Sequence, residues 1–367
     1  MTTQNSSGNP PSALPSASPE TVAADVAAAH AAREAALRDW LAPLAATHGF
    51  DVATLAPASA DASFRRYFRV TGDAGISFVA MDAPPPQEDV RPFLHAAEQF
   101  ARTGVRVPAV FARDVERGFL LLEDFGHTPY LNVLDADTAR VLYGAATAAL
   151  VRFQVAGDKT AFPPYDDALL RRELELFREW YCGQHLQMNL TPAEHSILDV
   201  VFDRVIENNL AQPQVLVHRD YHSRNLMIIE EPFPGPGIID FQDAVIGPIT
   251  YDLVSLLRDA YIAWEEPDQM DWAIRYWEQA RAAGLPVDPA FGEFYRDFDW
   301  MGLQRALKVL GIFARLAIRD GKTAYLADMP RVYAYARRTA ERYIGLKHLV
   351  EIFDRIEQRA PVIGYTF

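Results

Sequence analysis

Apolar positions recur along the chain at two spacings, and the change between them divides the sequence. From about 20 to 47, an Ala-rich segment puts Leu37, Trp40, Leu41 and Leu44 at helical intervals, which predicts an amphipathic helix docked on the segment C-terminal to it. Between 63 and 82, "SFRRYFRVTGDAGISFVAMD" alternates around Gly72-Asp73-Ala74-Gly75, the pattern of a β-hairpin. "PPP" at 84–86 ends that sheet. Phe93, Ala97, Phe100 and Ala101 then predict a helix to about 103, and "GFLLLEDFG" at 118–126 predicts a buried strand running into a Gly turn.

Beyond Gly126 the spacing is helical almost throughout. Leu169, Leu170, Leu174, Phe177 and Trp180 form one face, and Leu303, Leu307, Leu310 and Ala314 another. The interruption lies at 215–243, where short apolar strands flank a polar loop; "EEPFPGPG" at 230–237 reads as a connecting turn. The expected architecture is α+β in two lobes. Residues 20–126 hold the N-terminal helix and a small β-rich lobe, and residues 127–367 a larger, mainly helical one. Residues 1–19, rich in Pro, Ser, Gly and Asn, have almost nothing to bury and are expected to form a disordered tail.

Half of the 367 residues are hydrophobic, ample for two cores. The formal charge of -14 argues against a general nucleic-acid or anionic-membrane binder, which needs clustered Lys and Arg. Cys182 is the single cysteine, which excludes an internal disulfide and a thiolate metal cluster and fits a reducing compartment. No stretch approaches a membrane span, and the N-terminus, without Lys or Arg before Arg33, lacks the layout of a secretory signal. A monomeric cytoplasmic protein is the expectation.

The polar loop, "VLVHRDYHSRNLMII" at 215–229, admits two chemistries. His218, Asp220 and His222 form an H-x-D-x-H run that would suit zinc or iron, although a site of that kind needs further ligands. Phosphoryl transfer accounts for more of the residues. His218, Arg219, Asp220, four residues, Asn225, then "GIIDF" with Asp240 is the H-R-D-x-x-x-x-N spacing followed by a strand-borne metal Asp. In that chemistry Asp220 accepts a hydroxyl proton, while Asn225 and Asp240 hold Mg²⁺ against the phosphates of ATP through hard oxygen ligands. The metal would also supply the positive charge that an acidic chain lacks.

"VHRDYHSRNLM", "GIIDFQDA" and "GPITYDLVSLLRDAY" resemble the aminoglycoside-phosphotransferase and choline-kinase branch of the protein-kinase-like fold, over about 40–350. With "FVAMDAPPP" and "QRALKVLGIFARL" added, the chain is most similar to the anomeric sugar kinases of cell-wall recycling, which phosphorylate N-acetylmuramate and N-acetylglucosamine at C1. The resemblance implies a two-lobed kinase fold and use of ATP and magnesium. It also implies Asp220 as catalytic base, Asn225 and Asp240 as metal ligands, His218 as a packing residue of the loop, and Glu123, Asp124 and Phe125 as the hinge whose backbone reads adenine.

Two departures from the pattern stand out. Met81 occupies the strand position where related kinases carry a phosphate-binding Lys, which leaves Arg65 or Arg66 to supply that charge, or else to sit on a solvated hairpin. No G-x-G-x-x-G precedes Tyr67, which argues against a protein substrate. For the acceptor, Asp243, Arg224 and Glu173 are the candidates, Glu173 sharing a stripe with Leu169 and Phe177. Asp252 falls on the buried side of its helix, where the loop backbone would provide its hydrogen bonds. Gln304, Lys308 and Arg315 share one helix side, read as a solvated face. A kinase of another small alcohol or aminoglycoside, a metal-dependent hydrolase and a nucleotide-binding scaffold without catalysis are the alternatives.

Overall fold

The computed structural model describes residues 19–60, 64–229 and 235–358. The tail expected over 1–19 lies outside the described residues except for Pro19, which opens the first helix, and the turn expected at 230–237 is described only from Gly235. The described residues fall into two compact units. One contains those up to Val90 together with Phe111–Glu123, and the other Arg91–Val110 together with those from Asp124 onward.

In the first unit, helix α1 (Pro19–His48) accompanies strands β1 (Phe50–Ala60), β2 (Arg66–Gly72), β3 (Ser77–Asp82), β4 (Val110–Asp114, from its second residue) and β5 (Phe119–Glu123), in the spatial order β1-β2-β3-β5-β4. Strands β2 and β3 form the hairpin expected from the Gly72–Gly75 turn, with Arg66 opposite Asp82 and Thr71 opposite Ser77. Strand alternation puts Phe68, Val70, Phe78 and Ala80 into one core with Leu37 and Leu41 of α1 and Phe119 and Leu121 of β5. Asp82 is fully buried, and Arg33 of α1 and Arg66 of β2 both close on its carboxylate. An unpaired charge there would be costly, so the two guanidinium groups neutralise it and latch α1 to the sheet.

The second unit is mainly helical: α2 (Arg91–Arg102), α3 (Ala139–Ala156), α4 (Asp167–Leu176), α5 (Pro192–Ala211), α6 (Tyr251–Leu257), α7 (Glu266–Ala282), α8 (Phe291–Arg319), α9 (Met329–Arg342) and α10 (Lys347–Ile356). Two short antiparallel pairs interrupt it, β6 (Gln214–Val217) with β9 (Val245–Pro248) and β7 (Leu226–Met227) with β8 (Gly237–Ile238). The sequence pattern attaches α2 to the first lobe, yet its contacts group it with the second unit. Its apolar stripe is the reason: Phe93 lies 5.0 Å from Phe241, and Phe100 lies 5.3 Å from Phe153 and 5.8 Å from His218, ring to ring.

Helix α8 is buried without a break from Met301 to Gly311, because α4, α5, α6 and α9 all pack on it. The solvated face expected for Gln304 and Lys308 therefore does not exist. Gln304 is 0 % and Lys308 7 % exposed, Gln304 donates to the Leu170 carbonyl at 3.0 Å, and Arg315 is half-buried. A β-rich unit and a mainly helical one make up the expected α+β architecture.

Candidate active site

Strand β6 is buried through Val215–Val217 and delivers the chain into the polar loop at His218. The His218 ring is fully buried. Its Nδ1 accepts from the Asp220 N–H at 3.2 Å, and its Nε2 lies 3.0 Å from the Ile239 carbonyl. Only a neutral ring protonated on Nε2 satisfies both contacts. Burial pushes its pKa down to about 4, which keeps that form at neutral pH. His218 thereby ties the loop to the segment that carries Asp240, and with both nitrogens used it is unavailable as a metal ligand.

Two carboxylates hold the loop from behind. Asp252, in the first turn of α6, accepts from the backbone N–H groups of His218 at 2.7 Å and Arg219 at 3.0 Å, the partners expected for it. Burial nevertheless pushes its carboxyl up to about 7, against the pull of those donors. Asp259, just past the helix, accepts from Ser223 N–H at 2.9 Å, Ser223 Oγ at 2.5 Å and Tyr261 N–H at 2.8 Å. Between these anchors Arg219 has φ +76°, and Asp240 in the facing segment has φ +65°. Left-handed backbone at a non-glycine residue costs about 1–3 kcal/mol, which the surrounding hydrogen bonds must offset.

The Asp220 carboxyl is half-buried. Desolvation alone would raise its pKa, but the positive charges of Lys308, Arg305 and Arg219 outweigh it and hold the group at about 2, ionised at neutral pH. Asn225 donates through Nδ2 to the Asp220 carbonyl at 2.9 Å and to Asp240 Oδ2 at 3.2 Å, and Gln242 donates to Asp240 Oδ1 at 2.8 Å. These bonds set the Asn225 side-chain amide against the Asp240 carboxylate, two groups that carry hard oxygens. Hard oxygens of this kind suit a magnesium ion that completes its shell with phosphate and water. Among the described residues no three His, Cys, Asp or Glu stand together as a metal cluster.

Glu173, expected on the acceptor side, is buried. Its carboxylate is 5 % exposed and is engaged by Arg219 at 2.6 Å, by Lys308 at 3.2 Å and by the Tyr165 hydroxyl, so its capacity is spent inside the protein. Despite burial, Lys308 and Arg219 keep it ionised, with its pKa lowered. Arg219 also donates to the Asp243 carbonyl at 3.3 Å, and Lys308 to the Tyr251 hydroxyl at 2.8 Å. Glu173 therefore positions the loop through Arg219. Asp243 and Arg224 are both exposed, and the Arg224 guanidinium lies 3.5 Å from the centroid of the Tyr261 ring.

Of the expected phosphate ligands, Arg66 pairs with Asp82, its cross-strand partner. The Nε of Arg65 lies 3.5 Å from Glu88. Glu123 ends β5 opposite Phe78, while Asp124 accepts from Gly126 N–H at 2.9 Å to make the following turn. The Phe125 ring abuts Gly237, where a Cβ would come within 2.5 Å of it, so a side chain on β8 would displace the ring. Sequence reasoning missed Arg305 and Asp259 and read Lys308 as solvated. The available signals were two cations inside the apolar run "QRALKVL" and an Asp seven residues after Asp252.

Residues 54–294 match the model of the Phosphotransferase enzyme family. A Pseudomonas putida protein named N-acetylmuramate/N-acetylglucosamine kinase is 50% identical over 84% of this chain and 89% of its own length. A protein of the same name from Neisseria meningitidis is 45% identical over 91% and 99%. Among solved structures, a choline/ethanolamine kinase family protein from Mesorhizobium loti superposes with TM-score 0.57 at 14% identity, over 87% of this chain and 98% of its own, a likeness of fold.

Proposed function

From the premise that this chain belongs to the Phosphotransferase enzyme family, we propose that it transfers the γ-phosphoryl group of ATP to the anomeric hydroxyl of N-acetylmuramate and N-acetylglucosamine. Relatives that share 45% to 50% of their residues with it across most of both chains carry those two sugars in their names, which supports the acceptor class. The observation that carries the mechanism is the ionised Asp220, on the same loop as an Asn225 that is hydrogen-bonded to Asp240.

Asp220 orients the acceptor hydroxyl and takes its proton as the phosphoryl group moves through a loose transition state. Its depressed pKa makes it a weak base, which suits a reaction in which alignment matters more than full deprotonation. Asn225 and Asp240 would hold magnesium, whose charge, when bound, neutralises the phosphate oxygens. Glu173 holds Arg219 and Lys308 in place, and those two cations keep Asp220 charged. Arg224, on the same loop as Asp220, and Asp243, just after Asp240, are both exposed and belong to the acceptor side.

The test is a coupled ATP-consumption assay with N-acetylmuramate, N-acetylglucosamine, choline and aminoglycosides, followed by NMR of the phosphorylated product. Turnover with the two N-acetyl sugars and phosphate at C1 is expected. Turnover only with choline or an aminoglycoside would replace the proposed acceptor, and ATP binding without transfer to any of them would refute the kinase assignment.

A further inference from the structure

The two proposed acceptors differ by one charge, since N-acetylmuramate carries a lactyl carboxylate at C3 where N-acetylglucosamine has a hydroxyl. A site that takes the anionic sugar gains most from a cation that is not already spent on the protein's own acids. Around the loop most cations are spent or sealed in. Arg219 and Lys308 face Glu173, Arg258 faces Asp299, Arg331 faces Asp328, and Arg305 is 6 % exposed with its bond to Ser255 Oγ. Arg224 is exposed and has no carboxylate within ion-pair distance among the described residues.

Arg224 is also held in place. Its guanidinium lies over the face of Tyr261, a cation–π contact that fixes its plane and leaves N–H groups at the rim for a carboxylate. Tyr261 is itself fixed by the bond from its N–H to Asp259. The His222 ring meets Tyr261 edge-on at 5.4 Å, and its buried Nδ1 has no hydrogen-bond partner among the described residues. A charged fork, an aromatic face and an unused imidazole nitrogen thus stand together. The turn that carries His222 and Arg224 is closed by His222 N–H to Asp220 carbonyl at 3.0 Å and Asn225 N–H to His222 carbonyl at 2.9 Å, so it is one rigid piece with the proposed base.

We propose that Arg224, stacked on Tyr261, receives the lactyl carboxylate of N-acetylmuramate and so sets the preference between the anionic and the neutral sugar. The inference rests on the function proposed above. Its test is the ratio of kcat/KM for N-acetylmuramate to that for N-acetylglucosamine, measured for the native protein, Arg224→Met and Arg224→Lys. A charge-assisted bidentate contact predicts that the ratio falls about 10- to 100-fold in Arg224→Met, through KM, and recovers in part in Arg224→Lys. An unchanged ratio in an active Arg224→Met protein overturns the inference alone. A native protein that phosphorylates neither sugar overturns it together with the proposed function.

Discussion

His218→Phe removes a ring whose two nitrogens tie the Asp220 N–H, at 3.2 Å, to the Ile239 carbonyl, at 3.0 Å. The phenyl ring keeps the packing against Phe100 and Tyr221 but leaves one donor and one acceptor without partners. At about 1–3 kcal/mol each, with some relief by relaxation, the loss at neutral pH should be about 2–4 kcal/mol. Acid changes the comparison. The folded pKa of His218 is about 4, below the unfolded value of about 6.5, so its share of the stability is fully present above pH 6.5 and is lost as pH falls through 4. That gap corresponds to about 3 kcal/mol.

The stability advantage of the native protein over His218→Phe should therefore shrink on acidification and nearly vanish near pH 4. The assay is urea unfolding of both proteins from pH 4 to 8, with turnover measured on the same samples. If half of the neutral-pH loss reaches the transition state through displacement of Asp220, turnover falls roughly 5- to 30-fold. Unfolding free energies that run parallel over the whole range would refute the neutral, doubly bonded histidine.

Asp220→Asn should lower turnover about 10²- to 10⁴-fold with unfolding unchanged, and a folded variant with native turnover would exclude the residue as base. Lys308→Met removes the leading positive charge that holds Asp220 down, so the acid limb of kcat should move to higher pH and return on Lys308→Arg; a limb that stays put would refute the electrostatic coupling. Asp240→Asn should raise the magnesium concentration needed for half-maximal activity at least tenfold, and an unaltered titration would remove it from the metal site.

The elements built on regular spacing were readable from sequence, as with Leu37 and Leu41 of α1 or the Gly72–Gly75 hairpin. Strand β1 was not. It is an edge strand with register shifts and carries Pro57, which an edge tolerates because no partner needs its N–H, so the alternation that marks a strand is broken. The burial of Gln304 and Lys308 was hidden for another reason. Periodicity reports which residues share a side, and only the packing of four neighbours around α8 decides that no side faces water. Arg66 looked like a free cation until cross-strand register put Asp82 opposite it. The partners of Asp252 were legible because a carboxylate on an apolar helix face must find donors, and the adjacent loop was the nearest supply.

The grip of Asp252 and Asp259 on opposite ends of the loop makes the distance between them a fixed measure. Asp252 lies in the first turn of α6 and Asp259 just past its last residue, so inserting or deleting one helical residue would swing the second carboxylate by about 100° relative to the first. The length of that interval is therefore constrained, and so is its composition, since every residue from Leu253 to Arg258 is buried. Transplanting the loop into another scaffold would therefore succeed only if this helix travelled with it as part of the same graft.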